Sequence, residues 1–254
     1  MTDISIDLVK ELRTISGVSI MQCKKALVEA EGDMEKAKIA LTKKSGEVAA
    51  KKGDRELGAG SIVIKNSGDK TILLEFSCET DFVAKNEDFK IVAEKLALSI
   101  LNGEDVETLV SEATLKFGER TEISRSEIFE STNLGLYIHS GSAGTIVEFS
   151  GEVDEAYGKD IAMHITAQNP KYLTVEDISI EEREKTTETL REEVADKPVE
   201  MQEKILEGKI NAFFKERVLL TQGFIKDPSK TIETLLSEKG VEIIRFVRFA
   251  VGEK

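Results

Sequence analysis

The chain has no tryptophan, three prolines, two cysteines and two histidines in 254 residues. Two isolated thiols, Cys23 and Cys78, exclude a disulfide framework and point to a reducing compartment. The imidazoles of His139 and His164 stand in no metal-ligand spacing such as His-Glu-x-x-His, so no resident metal is expected. Long apolar runs are missing as well. The charge-free stretch Thr132–Val147 is broken by Gly135, Gly141 and Gly144, whereas a membrane span needs about 20 predominantly apolar residues. Asp3 and Asp7 precede the first lysine, the wrong sign for a secretory leader, so a soluble cytoplasmic protein is expected. Positive charge is in deficit too: 35 Lys plus Arg against 48 Asp plus Glu leave −13. That balance argues against direct nucleic-acid binding, because each phosphate contact needs a cation.

Phosphate-binding loops are absent. Gly53 and Gly58 have the outer spacing of a P-loop, but Ala59 stands where lysine is required. Gly158-Lys159 and Gly208-Lys209 are followed by Asp160 and Ile210 rather than Ser or Thr. No Gly-x-Ser-x-Gly elbow occurs. Nothing singles out an acid and a base among so many carboxylates. The expectation is a non-enzyme with no cofactor of its own.

What is present is a modular α+β pattern. Residues 1–46 read as a three-helix bundle. Ile6, Val9 and Leu12 recur at helical spacing up to Gly17; Ser19 caps a helix presenting Ile20, Cys23, Leu27 and Ala30; Asp33 caps a third with Met34, Ala37 and Leu41 inward and Gly46 beyond its end. So small a bundle suits docking onto something larger. Residues 47–59 read as a linker. The basic run from Lys36 to Arg55, opposed only by Glu47 and Asp54, reads as a solvated face.

Residues 60–131 read as a first core subdomain: a hairpin of Ser61–Lys65 and Thr71–Phe76, a helix from about Asn86, a second helix to Phe117 and a strand. Residues 132–175 begin a second, with strands at Leu134–His139 and Gly144–Phe149 and a helix at Glu155–Gln168. Glu75-Phe76-Ser77-Cys78-Glu79-Thr80-Asp81 aligns with Glu148-Phe149-Ser150-Gly151-Glu152-Val153-Asp154, so the two subdomains read as related copies. Residues 176–222 form a charged antiparallel helical hairpin with Leu190, Val194, Leu206, Ile210, Phe213 and Phe214 on its seam. Residues 223–254 supply a C-terminal helix and strand completing the second copy. The hairpin and the core are candidate homodimer surfaces.

One segment is odd. Thr80-Asp81-Phe82-Val83-Ala84-Lys85-Asn86 puts an aromatic ring in a polar connection. Phe82 is either a staple under its own helix or an exposed anchor for a partner. Linear alignment matches Asp81-Phe82 to Asp154-Glu155, so the second copy has no aromatic there.

These segments are similar to the elongation factor Ts family. The resemblance is carried by Val9-Lys10-Glu11-Leu12-Arg13 with Met21-Gln22-Cys23-Lys24-Lys25-Ala26-Leu27, by Thr80–Asn86, by Ile161-Ala162-Met163-His164-Ile165, and by Asp227–Thr231 and Arg245–Phe249. It implies a guanine-nucleotide exchange factor for elongation factor Tu, with an N-terminal bundle of ubiquitin-associated type. It further implies that Asp81 and Phe82, flanked by Thr80, Val83, Ala84, Lys85 and Asn86, enter the GTPase near its magnesium and loosen GDP. Arg13, Ile20 and Met21 would dock the bundle, and Phe117, Gly118 and His139 would add contacts. Ile20 stands where methionine is common, and Phe117 where a smaller aliphatic residue is. A scaffold dimerising through its helical hairpin is the alternative function.

Overall fold

The computed structural model describes residues 4–51, 55–196 and 198–253 and is an α+β protein. The remaining positions, 1–3, 52–54, 197 and 254, belong to the expected bundle, linker, hairpin and C-terminal module, and lie outside the described residues. The chain divides into two compact units. Met1–Glu130, Ser140–Gly144 and Phe249–Lys254 make the first; Ser131–His139 and Thr145–Arg248 make the second.

In the first unit, α1 (Ile6–Ser16), α2 (Ile20–Glu29) and α3 (Met34–Lys51) form the bundle. Ser19 and Gln22 close a reciprocal capping box at the start of α2. Val9, Leu12, Cys23, Ala26, Leu27, Ala37 and Leu41 are buried together. Ile6 and Ile20 are not. The buried stripes begin one turn into each helix, which leaves both first-turn side chains in solvent. The third helix also runs past its expected end, through Gly46 to Lys51. A helix-interior glycine costs only about 1 kcal/mol, and Ser45, buried beside it, anchors its hydroxyl to the Thr42 carbonyl at 2.6 Å. The expected linker is therefore helical over its first residues.

The core of this unit is a sheet of β1 (Ala59–Ser67), β2 (Lys70–Cys78) and β3 (Thr121–Glu130), in the order β1-β2-β3. The Ser67↔Lys70 register makes a two-residue turn of Gly68-Asp69. A one-turn helix α4 (Asp81–Ala84), then α5 (Glu87–Leu101) and α6 (Glu107–Phe117), connect β2 to β3. Leu74, Phe76 and Cys78 project from β2 onto Phe89, Ala93, Leu96 and Ala97 of α5, and the rings of Phe76 and Phe89 stack at 4.6 Å. Leu115 of α6 belongs to the bundle's core rather than to this one. The stem of Lys116 lies against Gly17, where a Cβ would meet it at 3.0 Å.

The second unit repeats this topology. Strands β4 (Leu134–His139), β5 (Ala143–Phe149) and β8 (Ile243–Ala250) form a sheet in the order β4-β5-β8. The long helix α7 (Glu155–Gln168) follows β5 as α5 follows β2, and α10 (Ile232–Lys239) precedes β8 as α6 precedes β3. Between α7 and α10 lie the hairpin, α8 (Ile180–Val194) and α9 (Val199–Lys215), and a small ribbon of β6 (Gly223–Phe224) and β7 (Asp227–Thr231). Leu190, Val194 and Leu206 fill the hairpin seam. At Gly135 and Gly158 the backbones of β4 and α7 touch: a Cβ on Gly135 would lie 2.3 Å from the Gly158 carbonyl oxygen.

His164 of α7 is a core residue. The Ile225 N–H donates to its Nδ1 at 3.2 Å, which leaves the proton on Nε2 to donate to Gln222 Oε1 at 2.9 Å. Burial holds its pKa below the ordinary 6.5. The folded form then binds fewer protons than the unfolded form below pH 6.5, so stability falls as pH drops through that value toward the lowered one. The slope contributed is at most about 1.4 kcal/mol per pH unit, and it vanishes above the unfolded value. Urea midpoints of the parent and of His164→Asn at pH from about 7.5 to 5.5 should show a smaller decline in the variant, whose amide oxygen can still accept from Ile225.

Both cysteines are free and buried. Burial first, and then the charge of Glu119, push the Cys78 thiol up to about 12. A thiolate is the reactive species. Native protein should therefore react slowly with a thiol reagent at neutral pH and yield both thiols once unfolded; prompt labelling of the native form would contradict the burial.

Candidate functional site

The segment Thr80–Asn86 connects β2 to α5, and its local chemistry fixes its shape. Thr80 caps α4, its hydroxyl accepting the Val83 N–H at 3.4 Å. Asn86 caps α5 in turn, accepting the Asp88 N–H at 2.9 Å. Val83 and Ala84 pack down onto the core under α5. Phe82 points the other way and is 84% exposed. That exposure excludes the staple. Asp81 is exposed, with the Lys85 ammonium 2.6 Å from its Oδ2. That hydrogen bond holds the carboxyl below the ordinary carboxylate range.

The repeat diverges at this point. In the second copy Asp154 caps the long helix α7, accepting the Tyr157 N–H at 2.8 Å. Its structural counterpart is therefore Asn86, the cap of α5, rather than Asp81. Glu155 is simply the first residue of α7. The turn carrying Asp81 and Phe82 is an extra element of the first copy, which the linear alignment concealed.

Two of the other candidates, Phe117 and Gly118, lie close to this turn in the same unit. Phe117 ends α6 with its ring edge-on to Phe89 at 5.4 Å and the Lys116 ammonium 5.5 Å from its centroid. Partly buried, it packs against the core, which gives the larger side chain at this position a packing role. Gly118 caps α6 in the left-handed region, at φ +70°, where a side chain would be strained. Next comes Glu119, which sequence reasoning missed. Its carboxylate takes the Thr80 hydroxyl at 2.6 Å and the Thr80 N–H at 3.0 Å. Residues 117–119 and 80–82 are thus neighbours, and the Gly17–Lys116 contact joins the bundle to the same end of α6. On the bundle Arg13 is exposed, and so are Ile20 at 52% and Met21 at 83%. In the second unit His139 is exposed at the end of β4, its Nδ1 3.1 Å from the Tyr137 hydroxyl.

Residues 79–253 match the family model described as elongation factor TS. The chain belongs to the elongation factor Ts family. Members of this family are nucleotide exchange factors for elongation factor Tu, which places the chain among the factors of translation elongation. The match begins at Glu79 and takes in the Phe82 turn, both helices of the hairpin and the whole second sheet; the bundle with Arg13, Ile20 and Met21 precedes it.

A cleft of about 880 Å³ on the opposite face of the first sheet is lined by Glu75, Arg120, Glu122 and Arg125, among others. Glu75 is 2% exposed and pairs with Arg125 at 2.6 Å, Arg120 pairs with Glu122, and Arg55 pairs with Glu79 at 2.8 Å. Each of the three guanidiniums lining the cleft therefore has a carboxylate partner. No helix among the described residues is long and apolar enough to cross a membrane.

Proposed function

We propose that the chain releases GDP from elongation factor Tu by inserting Phe82, with Asp81 beside it, into the GTPase close to its magnesium and phosphate site. The observation carrying this reading is the exposure of Phe82 on a turn whose Thr80, Val83 and Ala84 are held against the body. A large rigid ring held in water gains the full hydrophobic and packing energy on burial against a partner and loses little conformational freedom. Asp81 would bring a carboxylate toward the magnesium and its ligands. Arg13, Ile20 and Met21 would dock the bundle on a second part of the same GTPase, with Gly118 and His139 as additional contacts.

Such a mechanism needs no acid or base. Factor and GDP bind the GTPase but disfavour each other in the ternary complex, and linkage makes the effect reciprocal. Each tenfold weakening of GDP costs about 1.4 kcal/mol of the factor's own affinity. The factor speeds equilibration in both directions, and the nucleotide supply sets the direction. The test is the release rate of a fluorescent GDP analogue from elongation factor Tu with and without this chain. An unchanged rate at saturating factor would overturn the reading. A hairpin scaffold would bind without altering that rate.

A further inference from the structure

We propose that Glu119 is a positioning residue for nucleotide exchange, holding the Phe82 turn in its presenting orientation through Thr80; this inference rests on the wedge reading of Phe82. The turn cannot hold itself. Helix α4 has four residues, and one turn of helix does not repay the ordering of its backbone. Val83 and Ala84 fasten one side to the core. The remaining fastening is at Thr80, and there every polar group is engaged. Its N–H and O–H both donate to the Glu119 carboxylate. Its carbonyl accepts the Cys78 thiol at 3.2 Å and the Ala84 N–H at 3.2 Å.

A carboxylate is required by this arrangement. The Thr80 hydroxyl accepts from Val83, so its own hydrogen is directed at Glu119. Glu119 must therefore accept twice, once at each oxygen, and an amide has only one acceptor oxygen. Thr80 and Glu119 are both half-buried, which limits replacement by water. A second tie runs the other way: Glu79 Oε1 accepts the Arg120 N–H at 2.6 Å, while Glu79 Oε2 holds Arg55. At each junction an acidic side chain grips the backbone of the other segment. The turn bearing Phe82 and the Gly118 loop are cross-tied into one piece.

The experiment measures release of a fluorescent GDP analogue from elongation factor Tu by the full chain carrying Glu119→Gln, Phe82→Ala, and both. Melting is followed for each. Losing one charge-assisted hydrogen bond and opposing two donors should slow release by roughly tenfold in Glu119→Gln. Because Glu119 acts through Phe82, the double variant should be no slower than Phe82→Ala alone. Thr80→Ala, which removes the hydroxyl, should resemble Glu119→Gln even if the glutamine variant folds poorly, and Thr80→Ser, which keeps both donors, should recover most of that loss. Parental exchange by both Glu119→Gln and Thr80→Ala overturns the inference, as does a double variant whose losses multiply. If Phe82→Ala is slow in the same assay, the wedge survives that failure; if Phe82→Ala exchanges normally, the wedge itself falls.

Discussion

Phe82→Ala is expected to slow GDP release from elongation factor Tu by about thirtyfold, the equivalent of a hot spot of about 2 kcal/mol. Melting should not move, because the ring makes no contribution to the core in the free chain. Asp81→Ala should fall between parent and Phe82→Ala, since its carboxylate serves the partner's magnesium site or orients the turn through Lys85. Glu155→Ala should leave exchange near parental, because Glu155 opens α7 and belongs to no presenting turn. Release rates of the three variants, each beside its melting temperature, decide the matter. A Phe82→Ala protein that melts early while its folded fraction exchanges normally would return the ring to a structural role.

The second large effect concerns stability. Gly135→Ala should cost about 3 kcal/mol or more, because its Cβ would stand 2.3 Å from the Gly158 oxygen and 2.7 Å from the Gly158 carbonyl carbon. Neither atom can rotate away, as both are backbone of α7. For a chain of this size the loss corresponds to a fall of roughly 10 °C in melting temperature. Gly158→Ala offers the contrast. Its Cβ would meet the Gly135 Cα at 3.0 Å, and a helix-interior alanine returns about 1 kcal/mol of propensity. It should lose much less. Similar melting of the two variants would show that β4 and α7 separate more easily than their contact implies.

Most elements were legible because their signals are local. Ser19 announces the start of α2, and the polar stretch Asn66-Ser67-Gly68-Asp69 between two apolar runs announces the first hairpin. The helix Glu155–Gln168 coincides with its sequence-based range. Misreadings arose where a local signal met a tertiary one. Gly46 resembled a stop, yet a backbone already helical through the buried Ser45 carries on past it. Ile6 and Ile20 fit the apolar period of their helices, but the period gives a direction around the axis, not the point along it where burial begins.

The site was half legible. Phe82 stood out because an aromatic in a polar connection is unusual. Glu119 could not stand out among 48 acidic residues. Its meaning comes from the fold, which returns the end of α6 to the end of β2 across some forty residues of chain. The extra turn of the first copy was hidden for a related reason. Identical residues at Glu75–Asp81 and Glu148–Asp154 suggested matching geometry, while the helix caps that define the geometry are Asn86 and Asp154.

The hairpin inserted between α7 and α10 bears on the order in which the sheets can be made during synthesis. In the first copy residues 79–120 separate β2 from β3; in the second, residues 150–242 separate β5 from β8. Doubling a closing segment adds only about 0.6 kcal/mol of entropy, so the longer path is a small thermodynamic burden. Its weight is temporal. The first sheet has all its strands once Glu130 leaves the ribosome, but the second waits for Ile243–Ala250. Until then β5 lacks one neighbour, and its Ile146, Val147 and Phe149, buried in the finished protein, belong to an incomplete sheet. A nascent chain arrested between residues 180 and 240 would expose that edge, and chaperone engagement is expected to concentrate in this window.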